Sequence, residues 1–215
     1  MKKLSKLIES IWSDIQDRSA GDVVRREDMI ITNEELTNKI KQLYKEQGNG
    51  DTLNVSSLNK YKFDDLSYLF YNLEKVKQII GLETWDVSNV TDMSSMFSGC
   101  ESLTELDISN WDVSNVTNMG FMFSCCQNLT ELNISNWDVS NVTNMNGMFN
   151  VCENLTELNI SNLDVSNVTN MGFMFDHCSS LTELNIDNWD VNNVTHMSDM
   201  FSDCDKLIKP KWYNE

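Results

Sequence analysis

The sequence predicts an α/β fold, a solenoid of 26-residue strand-turn-helix units behind a small N-terminal helical segment. Three observations predict it. Five near-identical copies follow one another without a slip in register, marked by the columns Trp85, Trp111, Trp137, Leu163, Trp189 and Cys100, Cys126, Cys152, Cys178, Cys204. A fixed period of this length makes each unit one supersecondary turn that buries its apolar face only when a neighbour stacks on it. Two shorter periods lie inside each copy. In the copy Leu129 to Asn154, Leu132 and Ile134 alternate with Glu131, Asn133 and Ser135, the period of a half-buried strand. Val142, Met145, Met148, Phe149, Cys152 and Leu155 then recur at spacings of three and four, the stripe of a short amphipathic helix. Between the two, Asp138-Val139-Ser140-Asn141 supplies side chains that bond their own backbone and end the strand, and Asn141 or Thr143 is placed to cap the helix.

Taken in chain order, residues 1–48 form a helical adaptor or cap and residues 49–215 the repeats. Leu4, Leu7, Ile8, Ile11, Trp12 and Ile15 make one apolar face of a first helix, long enough to dock on a larger assembly or to self-associate. Thr32-Asn33-Glu34-Glu35 reads as a capping box opening a second helix, with Leu36, Ile40, Leu43 and Tyr44 on one face and Gly48 at its end. This second helix is the better cap for the first repeat. A degenerate unit covers 53–79, with one extra residue expected between Val76 and Ile80; five regular units cover about 80–206. Pro210 lands where a strand leucine would stand, so residues 207–215 should end or cap the array.

The W-D-V-S-N-V-T-N-M run with its M-F pair, repeated from Leu53 to roughly Leu207, resembles the BspA-like subgroup of leucine-rich-repeat proteins, a bacterial surface protein repeat. The resemblance implies a right-handed, leucine-rich-repeat-like solenoid or shallow horseshoe, with a parallel sheet on one side and short helices on the other. It also implies binding to other proteins or cell surfaces, in bacteria or their phages, and no catalysis. Members are commonly exported bacterial surface proteins or lipoproteins. Here Leu4-Ser5-Lys6-Leu7-Ile8-Glu9 puts charges where an export signal needs an apolar run, and no early cysteine offers a lipid site. A cytoplasmic or particle-associated location is therefore expected over export.

Charge narrows the partners. Residues 1–48 balance nine Lys/Arg against nine Asp/Glu, whereas the remainder sets seven against 24 and carries the whole net charge of −17. No lysine or arginine occurs from Gln78 to Asp205. Such a surface repels phosphate backbones and anionic membranes and favours basic partners, so neither nucleic-acid binding nor membrane insertion is expected. Glu105, Glu131, Glu157 and Glu183 form one strand column, with Asp107, Asn133, Asn159 and Asn185 beside it, and this ribbon is the candidate binding face for a protein or cell-surface ligand. A second acidic column, Asp86, Asp112, Asp138, Asp164 and Asp190, needs partners; the amides of the following turn are one solution and a calcium ladder another.

The tryptophan column is either apolar packing or a carbohydrate platform, and its tolerance of Leu163 favours packing. The repeated Met and Phe residues read as core, and the cysteine column as buried free thiols, without a zinc site. His177 and His196 have no nucleophile beside them outside the repeat consensus. No enzyme, cofactor or metal is expected. The function expected is an adhesin-like protein-interaction module; the alternative is a structural spacer anchored by its first helix, as in a phage particle.

Overall fold

The computed structural model describes residues 30–213. The first helix expected over Leu4, Leu7, Ile8, Ile11, Trp12 and Ile15 lies outside them. Helix α1 spans Asn33–Glu46 and starts as a full capping box: the Thr32 hydroxyl accepts the Glu35 amide, and the Glu35 carboxylate accepts the Thr32 amide. Its face carrying Leu36 and Ile40 is buried against the first repeat, and Leu43 and Tyr44 pack at its margin. Asn33 fastens it there, its Nδ2 donating to the carbonyls of Asp65 and Ser67 at 3.2 and 2.9 Å.

The strand-turn-helix solenoid that the sequence predicts is not the architecture. Among the described residues α1 is the only α-helix, and it precedes the repeats. Four three-residue strands, β1 (Thr52–Asn54), β2 (Gln78–Ile80), β3 (Glu131–Asn133) and β4 (Glu157–Asn159), make two separate parallel pairs, β1-β2 and β3-β4. Two single 3-10 turns, Ser56–Leu58 and Leu82–Thr84, complete the regular structure, and the rest of each copy is turn and irregular chain.

The segments expected to be helical fail for a backbone reason. In each copy two residues four apart adopt left-handed φ, as at Phe121 and Cys125 (57° and 60°), Gly147 and Val151 (59° and 60°), and Phe173 and His177 (57° and 60°). A left-handed residue every fourth position breaks any α-helix. Alternate amides then close three-residue turns, Met148 to Met145, Asn150 to Gly147 and Cys152 to Phe149. The amides between them leave the copy altogether: Met145, Gly147, Phe149 and Val151 donate to the carbonyls of Asn170, Gly172, Met174 and Asp176. Chain turning on a four-residue pitch displays side chains at the same three-and-four spacing as a helix, which is why the sequence pattern misleads. The proposed caps follow suit: Asn141 Nδ2 donates to Ser114 O at 2.7 Å, and Thr143 Oγ1 to Thr117 O at 3.2 Å, both in the preceding copy.

The copies are thus joined one to the next by hydrogen bonds, with parallel bridges Asp65–Asp92–Asn118–Asn144–Asn170–His196 marking the register. Inside, Phe70, Phe97, Phe123, Phe149, Phe175 and Phe201 stack with ring centroids 5.3–5.6 Å apart and planes within 8°. Each tryptophan of the other column is buried and donates its indole N–H to a carbonyl one copy back, as Trp111 to Leu82 at 2.9 Å and Trp137 to Ile108 at 3.2 Å. Trp212 joins this column from the C-terminal segment, donating to Ile186 O at 2.8 Å and stacking on Trp189. Five cysteines are buried free thiols whose Sγ donates to the phenylalanine carbonyl of the preceding copy at 2.9–3.3 Å; Cys125 is half-buried.

The extra residue of the early array falls at Ile80–Gly81. Leu53 pairs with Ile79, a step of 26, but the Trp85 and Trp111 indoles bond Val55 and Leu82, a step of 27. Gly81 takes φ 101°, and a side chain there would strike the Ser56 backbone. Ile80, the residue after buried Ile79 in β2, faces outward by strand alternation and is exposed.

Candidate functional site

The strand segments face a shallow concavity. Glu105, Asp107, Glu131, Asn133, Glu157 and Asn159 line it, together with Gln78, Ile80, Glu83, Ser109 and Ser135. Strand alternation explains the arrangement: in β3 and β4 the leucine goes to the core while the flanking Glu and Asn are exposed. The register Glu131↔Glu157 and Asn133↔Asn159 sets like residues side by side, one strand spacing of about 4.8 Å apart.

The polar groups fall into two kinds. Asp107, Asn133 and Asn159 are engaged locally, accepting from the hydroxyls of Ser109, Ser135 and Ser161 at 3.0, 2.8 and 3.1 Å. Glu105 accepts from Gln78 Nε2 at 2.6 Å. The side chains of Glu131 and Glu157 have neither a hydrogen-bond nor an ion-pair partner among the described residues, so two adjacent free carboxylates line the concavity. Glu183 and Asn185 are not part of it. They line a separate depression with Asp187, Ile208, Lys209 and Lys211. Residues 183–185 form no strand, and the C-terminal segment lies beside them, with the Lys211 amide on Asp187 Oδ1 at 3.1 Å and its Nζ 2.8 Å from Asp187.

Gln78, Ile80 and Glu83 were missed as lining residues. Gln78 stands one bridge from Glu105, but the extra residue displaces it from the glutamate column when copies are aligned by period alone.

The second acidic column satisfies itself. Asp86, Asp112, Asp138, Asp164 and Asp190 each accept the amide two residues on, and Asp86 and Asp112 also accept the serine hydroxyl at 2.6 Å. These serine bonds, side chain first and then backbone, hold the carboxyls of Asp86, Asp112 and Asp164 below the ordinary range. With turn amides already on the carboxylates, the calcium ladder has no geometric support.

One further cluster brings possible metal ligands together, Asp176, His177 and Asp203. Asp176 meets Nδ1 of the imidazole at 2.6 Å and Asp203 meets Nε2 at 3.1 Å. Both ring nitrogens are therefore committed to carboxylates, and the hydrogen bond that the imidazole donates to Asp176 raises the histidine pKa. The cluster reads as a surface ion pair. No helix among the described residues is long and apolar enough to cross a membrane.

The family model described as "Mycoplasma protein of unknown function, DUF285" matches the chain twice, over residues 37–131 and 126–213. No curated protein matches it.

Proposed function

The chain belongs to the DUF285 family, and we propose that it is a non-enzymatic binding module whose acidic concavity holds a basic segment of a protein partner. The observation that carries this reading is the free Glu131–Glu157 pair lining the concavity, in a stretch from Gln78 to Asp205 without one lysine or arginine. Carboxylates held in register repel one another, and a cation between them relieves that repulsion. The resemblance to BspA-like repeats, which implies binding to proteins or cell surfaces, supports the same reading. Exposed charge pairs contribute little singly, so affinity must come from several contacts at once.

The test is fluorescence anisotropy with a labelled Arg/Lys-rich peptide and a neutral peptide of equal length. Binding of the basic peptide should weaken as salt rises. The triple substitution Glu105→Gln, Glu131→Gln, Glu157→Gln should weaken it about tenfold, as the sum of three exposed contacts. Equal binding of the neutral peptide, or an unaffected triple variant, would defeat the proposal.

A further inference from the structure

The last copy ends on a face that every junction before it covers. Met171, Phe173, Phe175 and His177 donate their amides to the carbonyls of His196, Ser198, Met200 and Ser202 one copy on. The equivalent amides of the last copy, those of Met197, Asp199, Phe201 and Asp203, meet no acceptor among the described residues. The apolar columns change in step. Val165, Val168 and Met171 are at most 1% exposed, whereas Val191, Val194 and Met197 are only partly buried. The C-terminal segment covers the adjoining half, through Trp212 on Trp189 and Tyr213 on Phe201, and among the described residues this half is left open.

Hydrogen-bond polarity says what fits. The carbonyls of Asp199 and Phe201 are already taken by the turn amides of Ser202 and Cys204, so the open strip offers donors. Two such strips cannot satisfy each other, which rules out a symmetric pairing of trailing faces along it. Its complement is the leading side of a copy, where carbonyls point outward, as those of Asp92, Ser94, Met96 and Ser98 do toward the first repeat. On the first repeat itself that side is occupied: α1 lies across it, and Asn33 Nδ2 takes the carbonyls of Asp65 and Ser67.

We propose that the trailing face of the last copy is a docking site for the leading face of a second copy of this chain, and that α1 is the plug preventing that contact. The junction would repeat the copy-to-copy bonding already present within the molecule. Because it joins unlike faces, it propagates into open chains once α1 is lifted.

Light scattering after size exclusion tests this on the full-length chain. The wild type should be monomeric. Leu36→Asp/Ile40→Asp, which loosens α1, should give concentration-dependent oligomers, and adding Val194→Asp/Met197→Asp should restore the monomer. That quadruple variant, with only its leading face available, should form a one-to-one complex with the wild type, whose trailing face is free. A folded Leu36→Asp/Ile40→Asp chain that stays monomeric, or association that survives Val194→Asp/Met197→Asp, overturns the proposal. Should loosening α1 unfold the chain, a disulfide trap decides. Residues 64, 91, 117, 143, 169 and 195 form one column in which each threonine amide bonds the carbonyl one copy back. In a Cys125→Ser, Asn33→Ala background, which removes the bonds fastening α1 to the Asp65 and Ser67 carbonyls without emptying its buried face, chains carrying Asp64→Cys mixed with chains carrying Thr195→Cys would bring the two thiols about 4.8 Å apart at Cα, within disulfide reach. A mixed disulfide in excess of both homodimers supports the docking; a statistical mixture refutes it.

Discussion

Val151 is the residue most at odds with its backbone. It sits at φ 60°, a region that β-branched side chains avoid, in a column that Asn72 and Gly99 occupy in earlier copies at 59° and 77°. Left-handed backbone costs an ordinary residue about 1–2 kcal/mol, and asparagine pays less because its side chain bonds locally. Val151→Asn should therefore stabilise the protein by about 1 kcal/mol, seen as a melting temperature about 2–4 °C higher by circular dichroism. No rise would mean the left-handed conformation carries no strain there. Gly147, four residues earlier, shows the converse: at φ 59° its bare Cα lies under the Phe121 ring, and any side chain would displace that ring. Leu163 shows how tolerant the tryptophan column is, being buried like its neighbours with no indole to donate.

Among the elements, α1 depends on its cap. Thr32→Ala removes the hydroxyl that accepts the Glu35 amide and should destabilise the protein by about 1 kcal/mol in urea unfolding; Thr32→Ser should restore most of it. A loss well below that would show that burial of Leu36 and Ile40 alone holds the helix. This element was legible from Thr32-Asn33-Glu34-Glu35 because capping is written in adjacent residues. The buried columns were legible too, since Phe149, Met145 and Cys152 recur whatever the backbone does between them. The helix in each repeat was misread because apolar spacing reports which side chains share a face, and both an α-helix and a succession of four-residue turns meet it. The deciding information, left-handed φ, has no signature in residue type at Phe121, Cys125, Val151 and Phe173; Gly99, Gly147, Asn72, His177, Asp199 and Asp203 are the residues of these columns whose types hint at it. Six of the eight residues of the candidate ribbon share one concavity, because strand alternation and the 26-residue period place them in register. Glu183 and Asn185 line a separate depression beside the C-terminal segment, whose seating through Lys211 and Trp212 is not read from the repeat consensus.

For the whole molecule, stability should fall at both extremes of pH, with a small step near neutrality, where the exposed His177, its pKa raised by its bond to Asp176, loses its proton and with it that pair's contribution. The carboxyls of Asp86, Asp112 and Asp164 lie lower in the folded state than the unfolded value of about 3.9, so their contribution is complete above that value and is lost as pH falls through the folded ones. They are exposed, which makes the acid limb shallow. The thiols give the opposite sign. Burial pushes Cys100 and Cys152 up to about 12 and Cys204 to about 11, from an ordinary 9.0, so their contribution is complete below pH 9.0 and is lost between there and the folded values. Melting temperatures from pH 3 to 11 should fall more steeply on the alkaline side, and a chain with all five buried cysteines replaced by alanine should lose that limb. The bonding along the array has a mechanical counterpart. Because each copy is held chiefly by the one before and the one after, tension between the two ends loads the junctions in series, and the weakest yields alone. Each release frees 26 residues, about 90 Å of extended chain, so the molecule lengthens in uniform increments, and each increment dissipates work before the next junction is strained.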